Sequence, residues 1–197
     1  MAAAGGLLAD AAFESVVEVA DVRKRMSELE IRKLNWAADL HALDPLLDDR
    51  DRQRLPALWQ CAQDDDAQVH VAEIDGRIVG RITTHYRLRS EMGWLPDADT
   101  ERFQSEGNAY IETLMVQDDL RGKGIGKHLL DAAISSGVSR GITLFGLHTD
   151  EGNSGARRFY EREGWTLLHI VSPVWSNGSP MCVYARAGKS EKGSRDE

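Results

Sequence analysis

The sequence predicts an α/β protein in which a mixed, twisted sheet of about seven strands is flanked by about four helices. Three observations support this fold class. Short apolar segments rich in β-branched residues alternate along the chain with longer segments of helical periodicity. Residues 69–85 have the pattern of a hairpin, with Asp75-Gly76 as its turn. Residues 110–134 run from an apolar strand through a glycine-rich turn into a helical pattern.

Periodicity and turn residues place each element in order. The predicted strands cover residues 29–34, 69–74, 77–85, 110–116, 142–148, 165–171 and 181–187. The predicted helices cover residues 36–47, 51–62, 124–136 and 153–163. Pro45 and Pro56 interrupt the first two helices, and Pro56 is expected near a first helical turn. Gly137 is expected to end the third helix and Gly164 the fourth.

The 197 residues fit one domain, which we expect at residues 28–187. Residues 1–27 read as an N-terminal extension, which would pack on the domain, pack on a second subunit or be partly disordered. Residues 188–197 are charged and contain glycine, so we expect a disordered tail.

A long polar connection covers residues 86–108, and its length exceeds the usual connection between strands. Long loops on a rigid scaffold often bind ligands. We therefore expect this loop to form part of a ligand pocket, with Trp94 and Phe103 on an apolar wall. The alternative is a surface loop that packs its apolar residues into a small cluster of its own.

Composition excludes several classes of protein. The net charge of -8 argues against a nucleic acid partner. No window approaches 18 consecutive apolar residues, so we expect no contact with a membrane. Cys61 and Cys182 form no metal or redox pattern, and two free buried thiols are expected in a reducing cytoplasm. The six histidines lack zinc-site spacing, so we expect no metal.

The turn at residues 116–127 has the composition of a phosphate cradle. Glycines allow positive φ, and a strand-to-helix turn leaves several backbone N–H groups unpaired and pointing one way. The helix dipole adds partial positive charge at the same place. Arg121, Lys123 and Lys127 add three cations with no acid between them. We therefore favour a turn that binds an anionic ligand. The alternative is a tight turn whose basic side chains are only solvated.

The glycine spacing distinguishes between phosphate-binding families. The chain has no Gly-x4-Gly-Lys-Ser/Thr string, and Gly-x-Gly-x-Gly differs from the dinucleotide fingerprint. Arg121, Gly124 and Gly126 instead meet the pattern Arg/Gln-x-x-Gly-x-Gly/Ala. Residues 153–165 meet Asn-x-x-Ala-x-x-Phe/Leu-Tyr-x-x-x-Gly-Phe/Trp. In this order and spacing, the two motifs resemble those of the GCN5-related N-acetyltransferase (GNAT) superfamily.

The resemblance implies a mostly antiparallel sheet with splayed central strands, and acetyl-CoA as co-substrate without a metal. The strand before the cradle carries a bulge in this family, and its backbone pairs with the pantetheine arm. Those residues would be Leu114, Met115 and Val116. Arg121 and the backbone amides of the cradle would hold the diphosphate; the cradle residues are Gly122, Lys123, Gly124, Ile125, Gly126 and Lys127. Asn153 would cap the following helix and bond the pantetheine arm.

The resemblance also assigns catalytic roles. Tyr160 would protonate the departing sulfur, because its phenol has an ordinary pKa near that of a thiol. Two residues compete as the general base. Glu112 is expected on the strand face of Leu114 and Val116, and His148 ends the next predicted strand. Tyr110 and His85 are weaker candidates.

The acceptor is the part of the function that the sequence specifies least. A small primary amine, such as an aminoglycoside-like antibiotic or a polyamine, is favoured by the acidic balance and the single domain. A protein N-terminus or a lysine side chain is the alternative acceptor. A non-catalytic CoA-binding module is the alternative of a different class. Direct attack in a ternary complex is expected, because neither motif contains a cysteine to carry the acetyl group. A homodimer is compatible with the apolar N-terminal extension.

Overall fold

A computed structural model describes residues 28–87, 102, 105, 107–172 and 179–188. The strands are β1 (Glu30–Lys33), β2 (Ala67–Ile74), β3 (Arg77–His85), β4 (Asn108–Val116), β5 (Leu144–Asp150), β6 (Thr166–Val171) and β7 (Met181–Ala187). The α-helices are α1 (Trp36–Asp39), α2 (Asp49–Gln63), α3 (Ile125–Ser139) and α4 (Ser154–Arg162). In the described part of the chain, 3₁₀-helices cover Leu40–Leu46 and Asp118–Leu120.

The seven strands form one sheet in the order β1-β2-β3-β4-β5-β7-β6. All neighbouring pairs are antiparallel except β4 and β5, which are parallel. The connection from β4 to β5 runs through α3, as a parallel pair requires. These features confirm the mixed, mostly antiparallel sheet that the sequence predicts.

Local sequence signals explain where the elements begin and turn. Asp75 and Gly76 both have positive φ, at 52° and 72°, as the turn of a two-residue hairpin requires. Helix α2 begins with a capping box, in which the side chains of Asp48 and Asp51 each accept from the other residue's backbone N–H. Helix α4 begins after Asn153, whose side chain accepts from Ala156 N at 3.0 Å. The predicted cap at Asn153 is therefore confirmed.

Apolar residues cluster on both faces of the sheet. The larger cluster packs α3 and α4 against one face, with Leu129, Leu130 and Phe145 fully buried. The smaller cluster packs the first 3₁₀-helix and α2 against the other face, around Leu43 and Val71. None of the helices among the described residues is long and apolar enough to cross a bilayer.

Two helix boundaries differ from the prediction. Pro56 lies in the middle of α2, because the capping box at Asp48 starts the helix seven residues earlier, at Asp49. Gly137 lies inside α3 and is buried, so it does not end the helix. The chain leaves the helix after Arg140, where Gly141 has a φ of 87°.

The structure gives Gly137 a packing role. A Cβ at this position would lie 2.5 Å from Cζ of Phe145, so the ring of Phe145 occupies the space that a side chain would need. Cys61 and Cys182 are both buried and neither forms a disulfide, as predicted. The predictions for residues 1–27, for Trp94 and Phe103 and for the tail beyond Gly188 lie outside the described residues.

Replacing Gly137 by Ala tests this packing. Alanine is the better helix former by about 1 kcal/mol, but the clash with Phe145 outweighs this gain, and we expect a loss of about 1–3 kcal/mol in the free energy of unfolding. Gly155→Ala is the matched control in α4, where the nearest atom to an added Cβ is Asn153 Oδ1 at 3.6 Å. Urea unfolding of both variants measures the difference. Equal stability of G137A and G155A would contradict the packing role.

Candidate active site

The central strands separate at one end of the sheet. Strands β4 and β5 pair only from Asn108 with Leu144 to Ile111 with Leu147. Beyond these pairs, β4 continues to Val116 and β5 to Asp150, each paired only with its other neighbour. Among the described residues, no strand pairs with the edge of β4 that faces β5 at residues 112–116. The splay expected from the family resemblance is therefore present.

A β-bulge lies where the splay begins. Thr83 pairs with Thr113 and Thr84 pairs with Ile111, which leaves Glu112 as the extra residue of β4. The bulge corrects the expectation that Glu112 shares the face of Leu114 and Val116. Those two side chains pack against the larger core, whereas Glu112 lies on the opposite face of the sheet. Strict alternation fails here because the extra residue shifts the phase of the strand.

The turn after β4 has the features of the predicted cradle. Gly122 and Gly124 have φ of 75° and 90°, and Gly124 is the N-cap of α3 without a side-chain cap. Lys127 N and His128 N donate to Gly124 O. Among the described residues, no acceptor is found for the backbone amides of residues 122–126. A run of unpaired amides at a helix N-terminus is a site that favours phosphate.

The cations of the cradle have acidic or carbonyl partners of their own. Arg121 lies 2.7 Å from Asp118, and Lys127 lies 2.8 Å from Asp131. Lys123 Nζ donates to Asp119 O at 2.8 Å. Arg121 and Lys127 are exposed and Lys123 is half-buried, and pairs of this kind at the surface contribute little stability. The three cations can therefore rotate toward a ligand at small cost, but acidic neighbours outside residues 121–127 offset more of their positive charge than the sequence suggests.

Tyr160 lies in an aromatic cluster at the end of α4. Its ring makes edge contacts with Phe159 and Trp165, at centroid distances of 5.2 Å and 5.9 Å. Burial raises the pKa of Tyr160 to about 12, so the phenol keeps its proton at physiological pH.

Tyr110 and His148 connect β4 to β5 at the splay. Tyr110 Oη and His148 Nδ1 form a short hydrogen bond, and the rings stack at a centroid distance of 5.8 Å. Burial, then the positive charge of Arg50, lowers the pKa of His148 to about 4. Burial raises the pKa of Tyr110 well above its ordinary value, so both groups are neutral near pH 7. A ring with this pKa is a weak base.

Glu112 is held from two sides. His85 Nε2 lies 2.8 Å from Glu112 Oε2, and Arg54 Nη1 donates to Glu112 Oε1 at 3.2 Å. Burial alone would raise the pKa of Glu112, but the hydrogen bond and charge of His85, followed by the charges of Arg54 and Arg81, lower it below its ordinary value. Glu112 is therefore an ionised carboxylate, and His85 Nε2 donates to it.

A cavity of about 130 Å³ opens beside Glu112 on the face covered by α2, and we call it the α2 cavity. It is lined by Asp48, Arg50, Asp51, Arg54, Glu112, Thr113, Met115 and His148. Both candidate bases from the sequence, Glu112 and His148, line this one cavity. Sequence analysis did not single out Arg50, Arg54 or Asp51. No sequence signal marks the two arginines as a pair, because the predicted helix begins at residue 51 and leaves Arg50 outside it.

The comparisons with known proteins agree with this geometry. A protein-family model described as the Acetyltransferase (GNAT) family matches residues 28–165, more than half of the chain. An uncharacterized N-acetyltransferase of Methanocaldococcus jannaschii is 28% identical over 113 residues, which are 57% of this chain and 45% of the relative. The match thus spans less than half of that relative's length.

Solved structures share the fold. Ard1 from Thermoplasma volcanium superposes with a TM-score of 0.63 at 18% identity, covering 83% of this chain and 99% of that chain. The ribosomal-protein-S18-alanine N-acetyltransferase from Escherichia coli superposes with a TM-score of 0.60 at 18% identity, covering 86% and 99%. The family match and the splayed sheet lead to one conclusion: this chain belongs to the acetyltransferase (GNAT) family.

Proposed function

We propose that this protein transfers the acetyl group of acetyl-CoA to the primary amine of a small acceptor by direct attack in a ternary complex. The family uses acetyl-CoA. The observation that carries the proposal is the opening between β4 and β5, which leaves backbone groups of β4 without a strand partner. These unpaired groups belong to the part of β4 that runs from Glu112, on the wall of the α2 cavity, to Val116, just before the cradle.

The residues present fit acetyl-CoA. The unpaired amides of residues 122–126 can donate to the diphosphate, and the positive φ of Gly122 and Gly124 turns the backbone toward such a ligand. The backbone of Leu114, Met115 and Val116 offers the edge to which an extended pantetheine arm can pair. The side-chain oxygen of Asn153 caps α4, so the NH₂ group of the same side chain remains as a donor for the pantetheine arm.

Bound acetyl-CoA supplies the acetyl group as a thioester. The acceptor nitrogen attacks the carbonyl carbon, so that a C–N bond forms and the C–S bond breaks. The amine loses one proton, and the departing thiolate gains one from the phenol of Tyr160. The raised pKa of Tyr160 keeps this donor protonated through the physiological pH range. A backbone amide among Leu114, Met115 and Val116 polarises the carbonyl oxygen.

Glu112 is the better of the two basic candidates for handling the amine. Its carboxylate is ionised, partly buried and on the wall of the α2 cavity, so it can hold an ammonium group and receive its proton through water. His148 is a neutral ring, since its pKa is near 4, so it carries no charge that would hold an ammonium group, and its Nδ1 is occupied by Tyr110. If that hydroxyl donates, the ring proton lies on Nε2 and no lone pair is left to accept a proton. We assign a structural role to His148 and Tyr110, whose contact joins β4 and β5 where the two strands separate.

Two observations bear on the size of the acceptor. The α2 cavity has a volume of about 130 Å³ and is partly open to solvent, so it can hold the amine end of an acceptor and a short substituent while the rest extends outward. A protein N-terminus is the alternative acceptor, because its terminal residue is of similar size; the similar E. coli structure is named for acting on an alanine of a ribosomal protein. Thiol release from acetyl-CoA over a panel of amines and peptides distinguishes the two. Cofactor binding without turnover on any amine would instead support a CoA-binding module.

Replacing Gly124 by Ala tests the cradle. Alanine is strained at a φ of 90°, and its methyl group lies where the diphosphate would approach. We expect the Kd for CoA, measured by calorimetry, to rise at least about tenfold. Gly76→Ala is the matched control, because Gly76 also has positive φ and open space around an added Cβ, but lies in the β2–β3 turn. An equal change in Kd for both variants would contradict the cradle.

Replacing Tyr160 by Phe tests the acid. We expect kcat to fall by about 10²-fold or more, with little change in the Kd for CoA, because only the proton donor is removed. Tyr184→Phe is the matched control, since Tyr184 belongs to the same aromatic cluster and its hydroxyl donates to Glu161 instead. Turnover of Y160F equal to that of the wild type would reject the assignment.

The pKa values predict an unusual pH profile. The pKa values of Glu112 and His148 both lie well below 6. Both groups have therefore lost their proton before pH 6, and neither titrates between pH 6 and 9. The rise of kcat/KM with pH in this range should therefore follow the pKa of the acceptor amine. For two acceptors whose amine pKa values differ by about 1.5 units, the midpoint of the rise in kcat/KM should differ by the same number of pH units. A rise with the same midpoint for both amines would mean that a group of the enzyme titrates at that pH.

A further inference from the structure

His85 contacts the carboxylate that would handle the amine, and it does so from inside the protein. Its Nε2 lies 2.8 Å from Oε2 of Glu112. The side chain of His85 is completely buried, whereas Glu112 lies on the wall of the α2 cavity. A molecule that enters the cavity can therefore meet Glu112 but not the imidazole, so His85 can act on the reaction only through the carboxylate.

The register of the sheet explains why the two side chains meet. His85 on β3 pairs directly with Tyr110 on β4. Glu112 follows Tyr110 by two residues, so it lies on the same face of the sheet and is the diagonal neighbour of His85, within reach of long side chains. The bulge at Glu112 keeps the carboxylate on this face, although Leu114, two residues later, packs against the larger core.

The two carboxylate oxygens of Glu112 have different surroundings. Oε2 faces the buried imidazole of His85, whereas Oε1 accepts from Nη1 of Arg54 at 3.2 Å. The side chain of Arg54 is 33% exposed and lines the α2 cavity. Oε1 is therefore the oxygen on the solvent-accessible side of the carboxylate.

His85 also has the largest share in keeping Glu112 ionised. Burial alone would raise the pKa of Glu112, and the hydrogen bond of His85 opposes this most, followed by the charges of His85, Arg54 and Arg81. Among the described residues, the other titratable or charged groups around the carboxylate are Tyr110, His148, Asp48, Arg50 and Asp51. Removing the imidazole should therefore raise the pKa of Glu112, because the effect of burial is then opposed by fewer groups.

We propose that His85 is a positioning residue for acetyl transfer: it anchors Oε2 of Glu112, so that an ionised carboxylate presents Oε1 to the acceptor amine. This inference rests on the proposed function. An ionised carboxylate can hold an ammonium group and receive its proton through water. A neutral carboxylic acid has no charge to hold the ammonium group and already carries the proton that it would have to receive. A carboxylate anchored at one oxygen by a buried ring also loses little further freedom when the acceptor binds.

The geometry separates this role from that of a base. Sequence analysis names His85 as a weaker candidate for the general base. In the structure, its Nε2 is directed at Glu112, and full burial keeps the ring away from the acceptor. His85 therefore neither touches the substrate nor takes its proton.

Replacing His85 by Leu tests the role through the pH dependence of turnover. The measurement is kcat for one saturating amine at pH 6 and pH 9, divided at each pH by kcat of the wild type, so that the titration of the amine cancels. We expect this ratio for H85L to be at least about tenfold lower at pH 6 than at pH 9, because a carboxyl without its donor is protonated at the lower pH. A loss that is only structural would be the same at both pH values.

A conservative variant and a matched control accompany H85L. In His85→Gln, the side-chain amide nitrogen reaches about the position of Nε2 and can donate to Oε2, so H85Q should keep most of the wild-type turnover at both pH values. His70→Leu is the control, because His70 is also a buried histidine of the same sheet, 6% exposed. Its partner on β3 is Ile82, which packs in the larger core on the face opposite to Glu112. The kcat ratio for H70L should be the same at pH 6 and pH 9.

The titration of Glu112 itself gives a readout that needs no turnover. In protein with ¹³C-labelled glutamate, the carboxyl signal of Glu112 is the one that is missing from E112Q. We expect carbon NMR to give a pKa of Glu112 at least about one unit higher in H85L than in the wild type. If urea unfolding shows that H85L does not fold, H85N takes its place, because the shorter amide of Asn does not reach the position of Nε2.

Three results would overturn the proposal: an equal loss of kcat at pH 6 and pH 9 in H85L, an H85Q variant as impaired at pH 6 as H85L, or a pKa of Glu112 that H85L leaves unchanged. A raised pKa of Glu112 in H85L without thiol release from any acceptor would reject the proposed acetyl transfer, but would retain His85 as the group that keeps Glu112 ionised. Thiol release with an unchanged pKa of Glu112 would reject the positioning role alone.

Discussion

The end of pairing between β4 and β5 is the constraint on which the site depends. Adjacent parallel strands normally continue side by side, because each backbone N–H and C=O needs a partner. Here pairing stops at Ile111 and Leu147, and the Glu112 bulge in β4 comes directly afterwards. Side chains fill the gap instead, since the rings of Tyr110 and His148 stack across it. The backbone of β4 beyond this point is thereby available to an extended ligand.

The bulge has a second effect, which is electrostatic. It directs the side chain of Glu112 to the face covered by α2, where His85 and Arg54 hold its carboxylate. Without the bulge, the same residue would share the apolar face of Leu114 and Val116. A charged group there would lack partners, and a buried unpaired charge is strongly destabilising. One extra residue in the strand thus separates an apolar core from a polar cavity.

A buried ion pair positions the opposite wall of that cavity. Arg81 on β3 bonds Asp51 at the start of α2, and its Nε donates to Leu46 O at 3.1 Å. A buried pair adds little net stability, because removing two charges from water is costly. Its value lies in geometry, since Asp51 also belongs to the capping box of α2. The pair therefore fixes where the helix starts, and with it the positions of Arg50 and Arg54.

The sequence by itself determined the elements whose causes are local. The hairpin turn at Asp75-Gly76, the cap at Asn153 and the glycine-rich start of α3 each depend on a few neighbouring residues, and the two spaced motifs identify the family. Tertiary structure alone decided the face on which Glu112 lies, the buried packing of Gly137 against Phe145 and the grouping of Arg50 and Arg54 beside Glu112 and His148. These depend on strand register and on contacts between residues far apart in the chain. Such contacts leave no periodic pattern that a single sequence can reveal.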